Sequence, residues 1–199
     1  MAHAGKLAFF DAAADRWDGA EEDARLKVRM APALLGIGPD EHVVDLGCGT
    51  GILTGVLAGM LSARATITAV DFSPAMIARA RGRLPDVRIR WVVGDAEALP
   101  LSDSSADRVL CFSAWPHFED QPGVCREAFR ILRKGGLFRV FHTQSRREVN
   151  RIHAEIGGAV GADVLVPGSD LARLMEGAGF RMKRVVDDEE GYSVEGRKG

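Results

Sequence analysis

A chain of 199 residues fits one domain of ordinary size, spanning 1–199, with a sizeable core. Its formal net charge of −2 argues against a dominant polyanion-binding surface, so no nucleic-acid partner is expected, although Arg79 to Arg83 make a local basic patch. The three cysteines, Cys48, Cys111 and Cys125, include no C-x-x-C pair, which excludes a disulfide framework and fits a reduced, cytoplasmic compartment. The start has no basic region followed by a long apolar run, and no later segment reaches membrane-spanning length without charge. A soluble chain without membrane insertion is expected.

In chain order, 7–17 is an alanine-rich amphipathic stretch. The segment 21–35 reads as a helix with Leu26, Met30, Ala33 and Leu34 on one face and an interruption at Pro32. These N-terminal helices (1–35) serve a core or a dimer equally well, so a monomer and a homodimer both stay open. A core region, 42–142, begins with the apolar run Val43 to Leu46. Ser73 and Pro74 read as the N-cap and first residue of a helix over 74–83. Alternation over 87–93 predicts a strand, and 108–112 another. Pro122 opens a helix whose inward stripe is Val124, Ala128, Ile131 and Leu132, closed by Lys134, Gly135 and Gly136. A buried strand over 137–141 follows. In the region 143–199, Ser145 and Glu148 have capping-box spacing for a helix running to about Ile156, with Val149, Ile152 and Ile156 as its buried stripe. Ser169 is placed to cap a helix over 170–178, and the tail reads as two strands, 181–186 and 192–195, turning near Gly191. Strands alternating with helices predict a parallel sheet covered on both faces and ending in a hairpin: an α/β, Rossmann-like, doubly wound architecture.

The chemistry-bearing stretch is Val-Val-Asp-Leu-Gly-Cys-Gly-Thr-Gly, 43–51, followed by an apolar helix. Glycine tolerates the positive φ of a sharp strand-to-helix turn, and the missing Cβ lets a nucleotide-like ligand lie against bare backbone. A dinucleotide turn, G-x-G-x-x-G, would place its third glycine at position 52, which is Ile52. The third glycine, Gly51, comes one residue early, and an acid, Asp45, precedes the turn. A second acid, Asp71, closes the next apolar run where an open α/β sheet presents a ribose-binding carboxylate. The turn therefore suits a ribose better than a pyrophosphate, which weakens a nicotinamide dehydrogenase reading.

That pattern resembles the class I S-adenosylmethionine-dependent methyltransferases, in particular the quinone-methylase-like group (methyltransferase domain 11 type) that acts on small molecules. Asp71, the Gly94-Asp95-Ala96-Glu97 turn and the Leu-Arg-Lys-Gly-Gly phrase at 132–136 fall in the order found there. The resemblance implies seven strands in the order 3-2-1-4-5-7-6, with strand 7 antiparallel, and S-adenosylmethionine as cofactor. It also implies that Phe10, Asp11, Ala14, Trp17 and Asp18 belong to a segment that folds over the cofactor. By the same resemblance, Asp71 and Phe72 meet the ribose, Asp95 and Ala96 the adenine, and Asp45, Gly47, Cys48, Gly49, Thr50, Gly51 and Ser113 the rest of the cofactor.

For the methyl acceptor, a small molecule, the residues leave more open. His117, in Ser113-Ala114-Trp115-Pro116-His117-Phe118, stands where relatives place a histidine near the transferred methyl. It is a candidate catalytic base or a histidine that shapes the loop beside Trp115. His142, Arg146, Asn150 and His153 border the helix that starts at Ser145, and with Trp17 and Trp115 they are candidate acceptor contacts; capping and helix-edge hydrogen bonds are the alternative. No short H-x-x-x-H spacing supports a metal site, so none is expected. A cofactor-binding module without catalysis, supporting a partner, is the competing function.

Overall fold

The computed structural model describes residues 2–16 and 36–199; Trp17, Asp18 and the expected helix over 21–35 with its Pro32 interruption lie outside the described residues. Helix α1 (Ala2–Ala13) ends in a single 3-10 turn, Ala14–Arg16. Strand β1 (His42–Leu46) is followed by α2 (Ile52–Met60), β2 (Thr66–Asp71), α3 (Pro74–Arg83), β3 (Ile89–Val93), β4 (Ala106–Phe112), α4 (Gln121–Ile131) and β5 (Leu132–His142). Then come α5 (Arg146–Ile156), α6 (Gly168–Gly177), β6 (Phe180–Asp187) and β7 (Tyr192–Lys198). The seven strands form one sheet in the order β3-β2-β1-β4-β5-β7-β6, parallel except for β7, which runs antiparallel to both β5 and β6. That is the expected Rossmann-like order.

Both faces of β1 are covered, which explains its apolar residues: Val44 and Leu46 face the side covered by α4 and α6, while Val43 joins the core beneath α2 on the other. Asp45 shares the Val43 side and meets Thr54 of α2. Two helix starts follow from local chemistry. Ser73 Oγ accepts from Met76 N–H at 3.1 Å and Ser145 Oγ from Glu148 N–H at 3.3 Å.

Elsewhere tertiary contacts overrule the local signal. Ser169 does not cap α6; the helix begins at Gly168, whose N–H is taken by the Asp187 carboxylate of β6 at 3.0 Å. Helix α4 stops at Ile131, before the expected Lys134-Gly135-Gly136, because β5 already pairs with β4 at Leu132 and then shifts register around a turn in which Gly135 has φ +82°. Strand β3 starts at Ile89, since Val87 is fully exposed, and the Arg88 side chain donates to the Ala58, Leu61 and Ser62 carbonyls that end α2. Ile156 is about half exposed although the helical stripe predicts it buried. Its face of α5 borders a cavity instead of packed core.

Candidate active site

The carboxyl ends of the parallel strands open into a cavity of about 330 Å³, the place where open α/β sheets bind ligands. One wall is the glycine turn. Gly47 N–H and Cys48 N–H both donate to the Val70 carbonyl, at 2.9 and 3.0 Å, locking the turn onto β2. Gly47, Gly49 and Gly51 have φ of +71°, +52° and +87°. Their surroundings differ. A Cβ on Gly47 would lie 2.5 Å from Ala114 Cβ, one on Gly51 would crowd Ala80, Leu84 and Trp91 at 3.2 Å, and one on Gly49 would meet nothing within 4 Å. Gly49 thus presents open backbone to the cavity, whereas Gly51 is a packing glycine turned toward α3 and β3, away from the cavity wall that Gly47, Cys48, Gly49 and Thr50 form.

Asp71, at the end of β2, is the hinge of this wall. Its Oδ2 accepts Gly49 N–H at 2.8 Å and its Oδ1 accepts Ser73 N–H at 2.9 Å. The Phe72 N–H also bonds to this carboxylate, which still leaves acceptor capacity, because a carboxylate has about four acceptor positions. Burial raises the Asp71 pKa, and the Ser73 and Gly49 N–H groups partly offset it. Asp45 is more deeply enclosed. Its Oδ2 takes the Thr54 hydroxyl at 2.5 Å, and its Oδ1 has no hydrogen-bond partner among the described residues. Burial pushes its carboxyl up to about 7; the Thr54 bond opposes the shift and the nearby Asp71 charge adds to it.

The consequence for stability has a definite sign. Between the ordinary carboxylate value of 3.8 and about 7 the folded protein keeps a proton on Asp45 that the unfolded chain gives up, so stability falls as pH rises through that window. Denaturant titration of the wild type at pH 5 and pH 8 is expected to show a loss on the order of 3 kcal/mol from this group, absent in Asp45→Asn. Equal pH dependence in the two proteins would refute the assignment.

Phe72, Asp95, Ala96 and Ser113 all line the same cavity. Phe72 meets Phe10 of α1 edge-on, with ring centroids 5.7 Å apart, and Asp95 Oδ1 holds Glu97 N–H at 2.9 Å in a tight turn. Ser113 has φ +52° and anchors its N–H on the Phe141 carbonyl. The Cys48 thiol, raised far above its ordinary pKa by burial and by the Asp45 and Asp71 charges, stays neutral and unreactive.

At the other end lie His117, His142 and His153. His117 Nδ1 is 2.8 Å from Asp163 Oδ2, and its ring lies 5.0 Å from that of Phe10 and 4.9 Å from that of His153. His153 Nδ1 is 2.8 Å from the Asp163 carbonyl, so that ring nitrogen carries the proton. His142 is buried, which lowers its pKa to about 3, with the His117 and His153 charges adding to the effect. Among the described residues no group of three or more His, Cys, Asp or Glu is placed to hold a metal ion.

Three expected acceptor contacts are not part of this wall. Trp115 is fully buried in the core against Phe118 and Phe138. Its aromatic bulk is sheet packing, which a single sequence does not separate from a binding role. Arg146 turns outward to pair with Asp187 at 2.9 Å. Asn150 clamps the backbone of Leu165 with two hydrogen bonds, 3.1 and 2.7 Å, and so fixes the loop before α6. Conversely, no motif or spacing singles out Lys6 or Asp163. Lys6 Nζ lies 2.7 Å from Asp163 Oδ1 and donates to the His117 carbonyl at 3.0 Å. Nothing periodic marks either residue.

The geometry fits an adenosyl cofactor on three counts: bare backbone at Gly49, spare acceptor capacity on Asp71, and an orphaned carboxylate oxygen on Asp45 beside the turn. Similarity to known proteins agrees. Residues 44–140 match the methyltransferase domain family model. The chain is 34% identical over 190 residues to a malonyl-[acyl-carrier protein] O-methyltransferase of Halorhodospira halophila, covering 90% of this chain and 62% of that protein. It is 37% identical over 98 residues to a chloroplastic 2-methyl-6-phytyl-1,4-hydroquinone methyltransferase of Arabidopsis thaliana, covering 49% and 29% of the two chains. A methyltransferase of Aquifex aeolicus has the same fold, with a TM-score of 0.76 and 17% identity over 95% of this chain and 98% of that one. The fold and the turn, together with these matches, support a class I S-adenosylmethionine-dependent methyltransferase domain, a family whose cofactor is S-adenosylmethionine. Within that class, residues 44–140 belong to its methyltransferase domain type. The chain spans 62% and 29% of the lengths of the two curated relatives named. No helix among the described residues is long and apolar enough to cross a membrane.

Proposed function

We propose that this chain transfers the methyl group of S-adenosylmethionine to a small-molecule acceptor held between the glycine turn and the face of α5. The observation that carries the reading is Asp71, which ties Gly49 to the start of α3 while keeping acceptor positions toward the cavity. S-adenosylmethionine supplies a methyl group already activated on a sulfonium sulfur. The protein's part is to bind, orient and exclude water. In this reading Asp71 and Phe72 hold the ribose, Asp95 and Ala96 the adenine, and Asp45, Gly47, Cys48, Gly49, Thr50 and Ser113 surround the remainder. His117 is the candidate base.

The acceptor end sets apolar walls, Phe10, Val149, Ile152 and Val160, beside the three histidines, and the Lys6 charge is already opposed by Asp163. Of the acceptors in the relatives' names, a hydroquinone ring suits such walls better than a carboxylate, which wants an unopposed cation. Calorimetric titration with S-adenosylmethionine, S-adenosylhomocysteine and NADH tests the cofactor assignment. Binding of the two adenosyl compounds but not NADH is expected, and failure of both to bind folded protein refutes it.

A further inference from the structure

We propose that Asp163 is a positioning residue that holds His117 in one tautomer, with Nδ1–H donating to Asp163 and a bare Nε2 turned to the cavity as proton acceptor. The proposal rests on the methyltransferase reading and names the acceptor class of that site: a molecule carrying a hydroxyl whose proton must leave.

The contacts define the arrangement. Asp163 uses both oxygens, Oδ2 on His117 Nδ1 at 2.8 Å and Oδ1 on Lys6 Nζ at 2.7 Å, and its side chain is 9% exposed. Burial alone would raise its pKa, but the hydrogen bonds from His117 and Lys6 prevail and hold it below the ordinary carboxylate range. An ionised carboxylate can only accept, so the proton between the two groups sits on Nδ1 and the lone pair of a neutral ring is left on Nε2. That atom makes no hydrogen bond among the described residues, yet it is not among the solvent-sealed polar atoms, unlike His142 Nε2. The His117 ring lines the cavity. The base is thus oriented from behind and open in front.

The step is balanced within the site. The acceptor O–H bond breaks, its electron pair stays on oxygen, and the proton passes to His117 Nε2. The imidazolium so formed keeps its Nδ1–H on Asp163, whose charge stabilises it. A carboxylate acceptor, already ionised at neutral pH, has no use for such a base. Groups facing His117 come from four elements: Lys6 from α1, Asp163 from the loop before α6, His153 from α5 and His142 from β5. Burial lowers the His117 pKa, the Asp163 bond pulls it back up, and the His153 and Lys6 charges push it down. The two ion-pair partners therefore act on His117 with opposite sign.

The test is side-chain nitrogen NMR of the full-length, nitrogen-15-labelled protein, with His117 assigned by its absence from His117→Gln. The wild type is expected to show a protonated Nδ1 and a bare Nε2. Asp163→Asn should lose the fixed tautomer and move the His117 midpoint down by about one pH unit, Lys6→Met should move it up, and Asp163→Glu should restore the wild-type tautomer. A protonated Nε2 in the wild type, or an unchanged tautomer and midpoint in folded Asp163→Asn, overturns the proposal. Should Asp163→Asn fail to fold, the wild-type tautomer and the direction of the Lys6→Met shift decide it. Catechol and acetate serve as acceptor probes: catechol alone shifting the Nε2 resonance supports the hydroxyl class, and any other result overturns that class while leaving the pair of residues in place. S-adenosylhomocysteine calorimetry on the same samples tests the cofactor reading separately, so loss of one does not masquerade as loss of the other.

Discussion

Asp71→Ala is expected to weaken S-adenosylhomocysteine binding at least about 100-fold, because hydrogen bonds to a charged group are each worth about 1.5–3 kcal/mol and a ribose offers two hydroxyls to the same carboxylate. The loss has a second source. Asp71 also accepts the Gly49 and Ser73 N–H groups, so its removal frees the turn from the start of α3 and unfixes the surface against which the ligand lies. Asp71→Asn keeps one oxygen for these donors and removes the charge, and is expected to fall between wild type and alanine, at about a 10-fold loss. Since burial raises the Asp71 pKa, wild-type affinity should decline on acidification at a pH above the ordinary carboxylate range. Calorimetry across pH checks both points. An alanine variant that binds within about threefold of wild type would remove Asp71 from the binding site.

Gly47→Ala is expected to destabilise the fold by roughly 2–5 kcal/mol, the sum of a left-handed backbone penalty and overpacking. The added methyl would sit 2.5 Å from Ala114 Cβ at φ +71°, and the neighbouring N–H groups of the turn are pinned to Val70, so the backbone has little room to yield. Gly49→Ala provides the contrast. Its φ of +52° carries the same backbone penalty of about 1–2 kcal/mol, but its methyl meets nothing within 4 Å among the described residues, at a position on the cavity wall. The two variants should therefore separate: Gly47→Ala loses stability in denaturant titration, and Gly49→Ala stays folded with weakened cofactor binding. Equal stability losses would show that the turn is not packed as the structure has it.

These turns and carboxylates are legible in the amino-acid sequence because their signals are local. The glycine triplet, the acids closing two apolar runs and the serine caps each act through residues close in the chain, and alternating strands and helices define the layer architecture. The strand order follows from family resemblance to particular motifs, since nothing in the periodicity of β6 or β7 states which neighbour each will pair with.

Other features depend on contacts between distant segments. Asp163 reaches His117 across 46 positions and Lys6 reaches His117 across 111, so neither leaves a spacing pattern to read. The start of α6 is set by Asp187 of β6 in place of the adjacent Ser169, and Trp115 and Asn150 prove to be packing and loop-fixing residues. What the sequence determined by itself was the class of fold and the chemistry of the cofactor turn, because short-range geometry dictates both. Which polar side chains face the cavity, and which are spent holding the protein together, only the tertiary structure decided, because burial and partners at that end come from α1, β5, α5 and the loop before α6 meeting in space.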